Sequence, residues 1–214
     1  MIRVLLVDDH KLVREGFAAL LASSNGIEIV GEAVDGESAV EQAKALLPDV
    51  VLMDVLMPGI GGLEATKRIL RSAPETKVIG LTACVDGPLP SRLLQAGARG
   101  FLSKGATHEE LLSAIRKVQS GQRYLTQSVA QDLALRSVSP DDTSYGPFDA
   151  LSERELQVTM MVVNGEKVSY ISDKLCLSPK TVNTYRYRIF EKLEVSNDVE
   201  LTRLAMRHQL LTDA

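Results

Sequence analysis

The chain has 214 residues, of which 45% are hydrophobic and 24% charged, with a formal net charge of −4 at pH 7. This length suits two small domains better than one, and the composition is that of an ordinary globular protein. Its apolar runs are only a few residues long, so none is expected to cross a bilayer. Residues 1–7 lack the pattern of an export signal, and we therefore predict a cytoplasmic protein with no membrane contact.

Cysteine and histidine are too few to predict a disulfide framework or a zinc site. Cys84 and Cys176 are the two cysteines, and we expect both to be interior residues. The three histidines, His10, His108 and His208, are scattered along the sequence and are not expected to form a ligand cluster.

Residues 1–121 alternate strand and helix patterns five times. Strands are predicted at 2–8, 27–33, 49–54, 77–82 and 100–104, with amphipathic stretches such as 12–23, 36–47 and 109–121 between and after them. Five such units predict a flavodoxin-like, doubly wound (βα)5 domain with strand order 2-1-3-4-5. In this α/β fold, the functional site lies at the carboxyl ends of the strands.

The pattern changes after residue 121. Residues 122–149 are predicted to be a linker, with a possible short helix at 129–137 and then a stretch rich in Ser, Pro, Asp and Gly. From residue 150 to the end, only helical periods occur, which predicts a second, all-α domain over 150–214.

Three acidic residues directly follow predicted strands: Asp8 and Asp9 after the first strand, and Asp54 at the end of the third. These strands are neighbours in the predicted order, so the three carboxylates should converge at one edge of the sheet. Clustered carboxylates repel one another unless a cation neutralises them, and Mg²⁺ is the cation that best suits a few carboxylates plus water. We therefore predict a Mg²⁺ site there.

Two further polar residues end strands at the same edge, Thr82 after the fourth strand and Lys104 after the fifth. A phosphoryl group on Asp54 would need such partners, because an ammonium and a hydroxyl can each bind a phosphoryl oxygen. Each residue alone has an ordinary explanation, since Asp often caps helices and Lys is often solvated. Their combination at the strand ends favours a phosphoacceptor site with Asp54 as the nucleophile.

The motifs "VLLVDDH", "DVVLMDVLMPGIGG", "LTA" and "GFLSKGA" resemble the receiver domain of bacterial two-component response regulators. The resemblance implies phosphorylation of Asp54 and a fourth Mg²⁺ ligand from the backbone carbonyl of Leu56. It also implies that Thr82 moves toward the phosphoryl group while Phe101 fills the space behind it. One departure is Gly105, where many receivers have proline, and a cis peptide bond is costly without proline.

The second domain contains a predicted helix-turn-helix. A short helix at 168–175 and a turn precede a longer basic helix at 180–193, which begins after Ser178 and Pro179. Positions at helical spacing mark its buried stripe, namely Val182, Tyr185, Ile189 and Leu193.

The outward face of this helix carries side chains suited to DNA. Asn183 and Arg186 can read base edges, whereas Lys, Thr and Tyr suit phosphates. For a charge run alone a solvated face is the better explanation, but the turn and the capping favour DNA binding. The candidate contacts are Lys180, Thr181, Val182, Asn183, Arg186, Tyr187 and Lys192.

Residues 150–211 resemble the LuxR/FixJ-type DNA-binding domain through "LSERE", "NG" and "LSPKTVNTYRYRIFEKL". Both modules together resemble the NarL/FixJ class of regulators and are most similar to the GacA/UvrY type. This resemblance implies a homodimer formed through the last helix (199–211) and double-stranded promoter DNA as a partner. It also implies phosphate from a hybrid sensor histidine kinase with a phosphotransfer domain, and activation of small regulatory RNA genes.

We therefore predict a phosphorylation-activated transcription regulator and not an enzyme. Its own chemistry would be limited to self-phosphorylation from small donors and slow self-dephosphorylation. Two alternatives stay open: a receiver with a protein-binding output, and a phosphatase of the haloacid-dehalogenase kind. The phosphatase would need a second Asp two residues after the nucleophile, where this chain has Leu56.

Overall fold

The computed structural model describes residues 1–22, 24–57, 59–82, 89–125, 130–131, 146–208 and 210. These residues fall into two compact units, one before residue 134 and one after it. The first unit is an α/β domain and the second is helical, which confirms the predicted fold class. Among the described residues, no helix is long and apolar enough to cross a membrane. Apart from residues 130 and 131, the predicted short helix at 129–137 lies outside them.

A five-stranded parallel sheet with the order β2-β1-β3-β4-β5 forms the centre of the first unit. Each strand agrees with its predicted range to within one residue at either end. All five residues of β3 are buried, as expected for a central strand with helices on both faces of the sheet. The strands are β1 (Ile2–Val7), β2 (Ile27–Ala33), β3 (Val50–Asp54), β4 (Lys77–Thr82) and β5 (Gly100–Ser103).

Helices that follow the strands cover the sheet, and two of them have clear N-terminal caps. The Asp35 side chain accepts a hydrogen bond from the Ser38 N–H before α2, and Thr107 and Glu110 form a capping box at the start of α5. The helices are α1 (Lys11–Ala22), α2 (Gly36–Leu46), α3 (Gly61–Ser72), α4 (Leu89–Gln95) and α5 (His108–Gln119).

The chain returns to the sheet after α5. The N–H of Tyr124 donates to the carbonyl of Arg99, and the N–H of Phe101 donates to the carbonyl of Tyr124, both at 3.0 Å. Tyr124, one of the first residues of the predicted linker at 122–149, is therefore hydrogen-bonded to the sheet at β5.

The helical unit contains the predicted helix-turn-helix, preceded by two further helices and followed by a last helix. A short 3-10 helix (Pro147–Ala150) precedes α6 (Glu153–Val163), α7 (Val168–Lys174), α8 (Pro179–Leu193) and α9 (Asp198–Arg207). The Ser178 hydroxyl caps α8 by accepting from the N–H of Thr181 at 3.1 Å.

Two residues of this unit differ from the sequence-based expectation. Phe148, placed in the linker by composition, is 1% exposed and stacks edge-on against His208, with ring centroids 6.0 Å apart. Cys176, expected in the interior, is exposed in the turn between α7 and α8. Its φ of 53° lies in the left-handed region, because the chain reverses direction there. Cys84 lies outside the described residues.

Candidate functional site

The Asp54 carboxylate lies at the end of the buried strand β3, beside the residue that follows β1. Val7 pairs with Met53, so Asp8 continues directly alongside Asp54. The Nζ of Lys104 lies 2.7 Å from Asp8 Oδ2 and 2.9 Å from Asp54 Oδ2. Both carboxylates are nearly inaccessible to solvent. One ammonium group therefore bridges two buried acids.

Electrostatics in this cluster favour additional positive charge. Burial raises the pKa of Asp54 to about 7, opposed by the Lys104 ammonium and assisted by the charge of Asp8. Burial acts in the opposite direction on Lys104, but Asp54 and Asp8 together hold its pKa above the usual value. The N–H of Leu56 donates to Asp54 Oδ1 at 3.1 Å. One ammonium does not neutralise the whole group of acids, because Asp9 lies beside Asp8.

The donor atoms of this cluster suit a divalent cation. Ligand atoms of Asp8, Asp9, His10 and Asp54 all lie within 4.8 Å of one another. Three carboxylates are hard oxygen donors of the kind that Mg²⁺ prefers, so these residues fit that ion.

The three histidines were expected to form no ligand cluster, and His10 nevertheless lies beside the acidic residues. Its Nδ1 lies 3.0 Å from Asp9 Oδ1 and 3.3 Å from Asp8 Oδ1. The signal was present in the sequence, where His10 directly follows the aspartate pair. The signal was overlooked because the three histidines are far apart in the sequence, although one histidine next to two acids is enough to join a site.

Thr82 and Phe101 occupy neighbouring strands. Thr82 ends β4 and pairs with Ser103 in the register, and its carbonyl accepts the N–H of Lys104 at 2.7 Å. Phe101 lies opposite Gly80 and is completely buried. Thr82 and Lys104 thus lie at the same edge as Asp54. The switch roles of Thr82 and Phe101 stay predictions, as does the Leu56 carbonyl as a ligand.

The loop after Lys104 has a simple geometry. The peptide bond between Lys104 and Gly105, whose conformation the sequence left open, is trans. The N–H of Gly105 donates to the Ser103 hydroxyl at 3.1 Å, which closes a tight turn.

Arg14, which was not among the predicted site residues, supports the acidic loop from the side. Its Nη1 donates to the backbone carbonyl of Asp8 at 2.8 Å, and its Nε donates to Glu32 at 3.1 Å. Nothing in the local sequence identifies this role, because Glu32 is on the neighbouring strand β2.

In the helical unit, α8 presents an exposed polar surface. Lys180, Thr184 and Tyr187 are exposed, the last at 73%, and Thr181 and Asn183 are half-buried. Val182 is 0% exposed, so its side chain cannot contact DNA, and its inclusion among the DNA contacts is corrected. It belongs to the buried stripe with Ile189 and Leu193, next to a half-buried Tyr185.

Arg186 and Lys192 were expected on the outward face but form ion pairs within the unit. Arg186 Nη2 donates to Asp198 Oδ2 at 2.5 Å, and Lys192 Nζ donates to Glu155 Oε2 at 2.7 Å. The Glu155 carboxylate is buried, so Lys192 compensates its charge. To contact DNA as predicted, Arg186 and Lys192 would each have to leave these ion pairs. The sequence could not reveal the partners, because they lie on other helices.

Comparison with known proteins assigns each unit to a described family. Residues 4–116 match the response regulator receiver domain, and residues 149–205 match the bacterial regulatory proteins of the luxR family. The chain is 59% identical to "Response regulator GacA" of Pseudomonas protegens over 99% of this chain and 98% of the relative. It is 56% identical to "Response regulator UvrY" of Escherichia coli K12 over 98% of this chain and 96% of the relative.

Solved structures of a related regulator have the same architecture. The RcsB response regulator of Salmonella typhimurium matches with a TM-score of 0.73 at 26% identity, over 97% of this chain and 98% of that one. A complex of RcsB with DNA matches with a TM-score of 0.57 at 26% identity, over 96% of this chain and 98% of that one.

Proposed function

Because the chain belongs to the two-component response regulators with a LuxR-type DNA-binding domain, we propose that phosphorylation of Asp54 controls its binding to promoter DNA. The observation that carries this proposal is the arrangement of two buried carboxylates around the Lys104 ammonium at the carboxyl ends of the strands. Asp54 is the only member of that arrangement that ends the central strand β3.

In the proposed reaction, an ionised Asp54 oxygen attacks the phosphorus of a phosphohistidine. A P–O bond forms while the P–N bond to the donor histidine breaks, and the product is an acyl phosphate. Lys104 already lies 2.9 Å from the carboxylate, so its ammonium can donate to a phosphoryl oxygen without a large movement. The hydroxyl of Thr82, at the end of the adjacent strand, is the proposed second donor.

The acids that remain beside Asp54 are the proposed Mg²⁺ ligands. Asp8, Asp9 and Asp54 would hold the ion with the carbonyl of Leu56. When bound, Mg²⁺ offsets the negative charge of the carboxylates and of the incoming phosphoryl group. The same site would let the chain take phosphate from small donors. Self-dephosphorylation should be slow, because Leu56 offers no hydrogen bond to an attacking water.

Signal transfer is proposed to run along β5. Movement of Thr82 toward the phosphoryl group would leave space behind it that Phe101 can occupy. Phe101 donates a backbone hydrogen bond to Tyr124, so a shift of β5 would directly reach the start of the predicted linker.

DNA binding is proposed to occur as a homodimer, with α8 in the major groove. Exposed Val199 and Met206 support dimerisation through α9, because residues seven apart share one helix face. From the resemblance of the sequence motifs to the GacA/UvrY type, we propose a hybrid sensor kinase as the phosphodonor and small regulatory RNA genes as targets. A protein-binding output and a haloacid-dehalogenase phosphatase are not favoured, since the second unit matches a DNA-binding family.

Phosphate uptake tests the receiver part of the proposal. The wild-type chain should incorporate a hydroxylamine-sensitive phosphoryl group from acetyl phosphate in Mg²⁺, and Asp54→Asn should not. Asp173→Asn, an exposed acid on α7, is the matched control and should incorporate at the wild-type rate. Wild-type incorporation by Asp54→Asn would refute the assignment of the nucleophile.

DNA selection tests the output. The full chain should enrich a defined sequence from random duplexes, with affinity that falls as salt rises. Tyr187→Ala on α8 should weaken binding, whereas Tyr170→Ala on α7, which also removes an exposed tyrosine, should weaken it less. Failure to enrich any sequence, with a flat salt response, would favour a protein-binding output instead.

A further inference from the structure

Three side chains connect the DNA-binding face of α8 with the start of α9. Arg186 lies between the other two: its Nη1 donates to Asn183 Oδ1 at 3.1 Å, and its Nη2 donates to Asp198 Oδ2 at 2.5 Å. Asn183 lies one turn before Arg186 on α8, and Asp198 is the first residue of α9. A residue outside the helix-turn-helix is therefore linked to a residue suited to reading a base.

We propose that Asp198 is a positioning residue for DNA recognition. It holds Arg186 against α9, and Arg186 in turn fixes the carboxamide of Asn183, so that Asn183 reads the base and Arg186 does not. This inference rests on the proposed DNA-binding function of α8.

Several contacts hold Arg186 in this position. Its side chain is only 24% exposed, and its guanidinium carbon lies 5.8 Å from the ring centroid of Phe190. Asp198 lies in the first turn of α9, where the helix dipole favours a carboxylate. Hydrogen bonds between two charged groups are stronger than those between neutral groups.

Moving Arg186 toward DNA would leave Asp198 without its cation. Asp198 Oδ1 and Arg186 Nε are buried and have no hydrogen-bond partner, so both groups have already lost water on one side. The Asp198 side chain is 46% exposed, but its Oδ1 stays buried without a hydrogen-bond partner. Loss of the cation would leave that charge less compensated, which opposes the release of Arg186. Asp198 therefore restricts Arg186 to the surface between α8 and α9.

The contact with Arg186 also determines what Asn183 offers to a base. Its Oδ1 is directed toward the guanidinium, which occupies one of the two acceptor sites of that oxygen, so the NH₂ group with its two donors is directed away from Arg186. Reading adenine in a bidentate manner requires both the oxygen and the nitrogen of the carboxamide. With the oxygen turned toward Arg186, the NH₂ donors match acceptors such as guanine O6 and N7 or thymine O4. We therefore expect Asn183 to select an acceptor edge.

Selection from random DNA with the full chain tests this arrangement. The variants are Asn183→Ala, Arg186→Met and Asp198→Asn, and Met is chosen because it keeps apolar contact with Phe190. All three should reduce the preference for the correct base over the wrong base at the same base pair, by roughly 5- to 150-fold. Asp198→Asn should also steepen the slope of log affinity against log salt concentration by about one, because the released Arg186 can then reach a phosphate.

Two control variants separate positioning from other effects. Glu191→Gln removes one negative charge from an exposed position of α8 and should leave the selected sequence unchanged. Asp198→Glu retains the negative charge and should restore most of the wild-type preference. Thermal unfolding of each variant shows whether it is folded at the assay temperature.

Two results would overturn the inference. The first is that Arg186→Met changes a different base pair from Asn183→Ala, because Arg186 would then read a base itself. The second is that folded Asp198→Asn retains the wild-type sequence and salt slope. If Asp198→Asn is unfolded, the comparison of Arg186→Met with Asn183→Ala decides the question. A wild-type chain that enriches no sequence would instead refute the DNA-binding function.

Discussion

Gly62 is the position where a single methyl group should disturb the phosphoacceptor site most. It lies in the first turn of α3, which approaches the backbone just after β3. A Cβ at this position would lie 2.0 Å from the carbonyl oxygen of Asp54 and 2.8 Å from the Cα of Val55. Both atoms belong to the main chain, so no side-chain rotation can relieve the clash. We predict that Gly62→Ala displaces the backbone at the end of β3, which carries Asp54.

The size of the effect follows from these distances. To reach ordinary van der Waals distances, α3 and the backbone at the end of β3 would have to separate by about 1 Å or more. This separation stretches the 3.2 Å hydrogen bond from the Gly62 N–H to the Val55 carbonyl. Overpacking costs roughly 1–3 kcal/mol and the lost hydrogen bond about 1 kcal/mol, for a total loss of about 2–4 kcal/mol. A displacement of about 1 Å can lower a reaction rate by about 100-fold.

Two assays measure the two consequences. Denaturant unfolding followed by circular dichroism gives the loss of stability, and the rate of phosphoryl uptake from acetyl phosphate gives the loss of reactivity. Gly16→Ala is the matched control, since a Cβ there meets nothing within 4 Å in the middle of α1. It should increase stability by about 0.5–1 kcal/mol and leave the uptake rate unchanged. The reasoning is refuted if Gly62→Ala matches the wild type in both assays.

Three further predictions concern individual residues. Burial favours the protonated form of Glu155, but hydrogen bonds from Lys192 and Ser152 hold its pKa below the ordinary value of 4.5. The stability from its ionised form is therefore present above pH 4.5 and is lost as pH falls through the lowered pKa. Glu155→Gln should lower the free energy of unfolding by about 1–3 kcal/mol at neutral pH, as measured by denaturant unfolding. On acidification it should lose less stability than the wild type, and an equal loss in both would contradict this. Leu56→Asn should speed the decay of the acyl phosphate by about tenfold, because one hydrogen bond to the attacking water corresponds to a rate change of that size. An unchanged decay rate would contradict this prediction. Cys176→Gly should raise stability by about 1 kcal/mol because its φ of 53° is left-handed, whereas Cys176→Ser should not.

Local sequence patterns were sufficient for the sheet and for the acidic site. The apolar run before Asp54 is long enough to identify a buried strand, and the order of strands places Asp8 beside it. Residues at strand ends are tied to the sheet by its register, so their neighbours follow from topology. For this reason the position of Lys104 next to both acids could be expected from the sequence.

Contacts between helices of the second unit could not be predicted in the same way. The pairs Arg186 with Asp198 and Lys192 with Glu155 join residues 12 and 37 positions apart. Helical periodicity shows which side of α8 is buried, but it does not show which helix packs against each edge of that side. The burial of Phe148 was missed for a similar reason, because composition identified a linker while the partner ring belongs to His208.

The most direct test of the account compares the affinity for the selected duplex before and after phosphorylation. Full-length protein is treated with acetyl phosphate in Mg²⁺, and the modified residue is identified by borohydride trapping and peptide mass spectrometry. The account predicts that the label maps to Asp54 and that the labelled protein binds the duplex more tightly, whereas treatment leaves the affinity of Asp54→Asn unchanged. Equal affinity of labelled and unlabelled wild type, or a label on another residue, would contradict it.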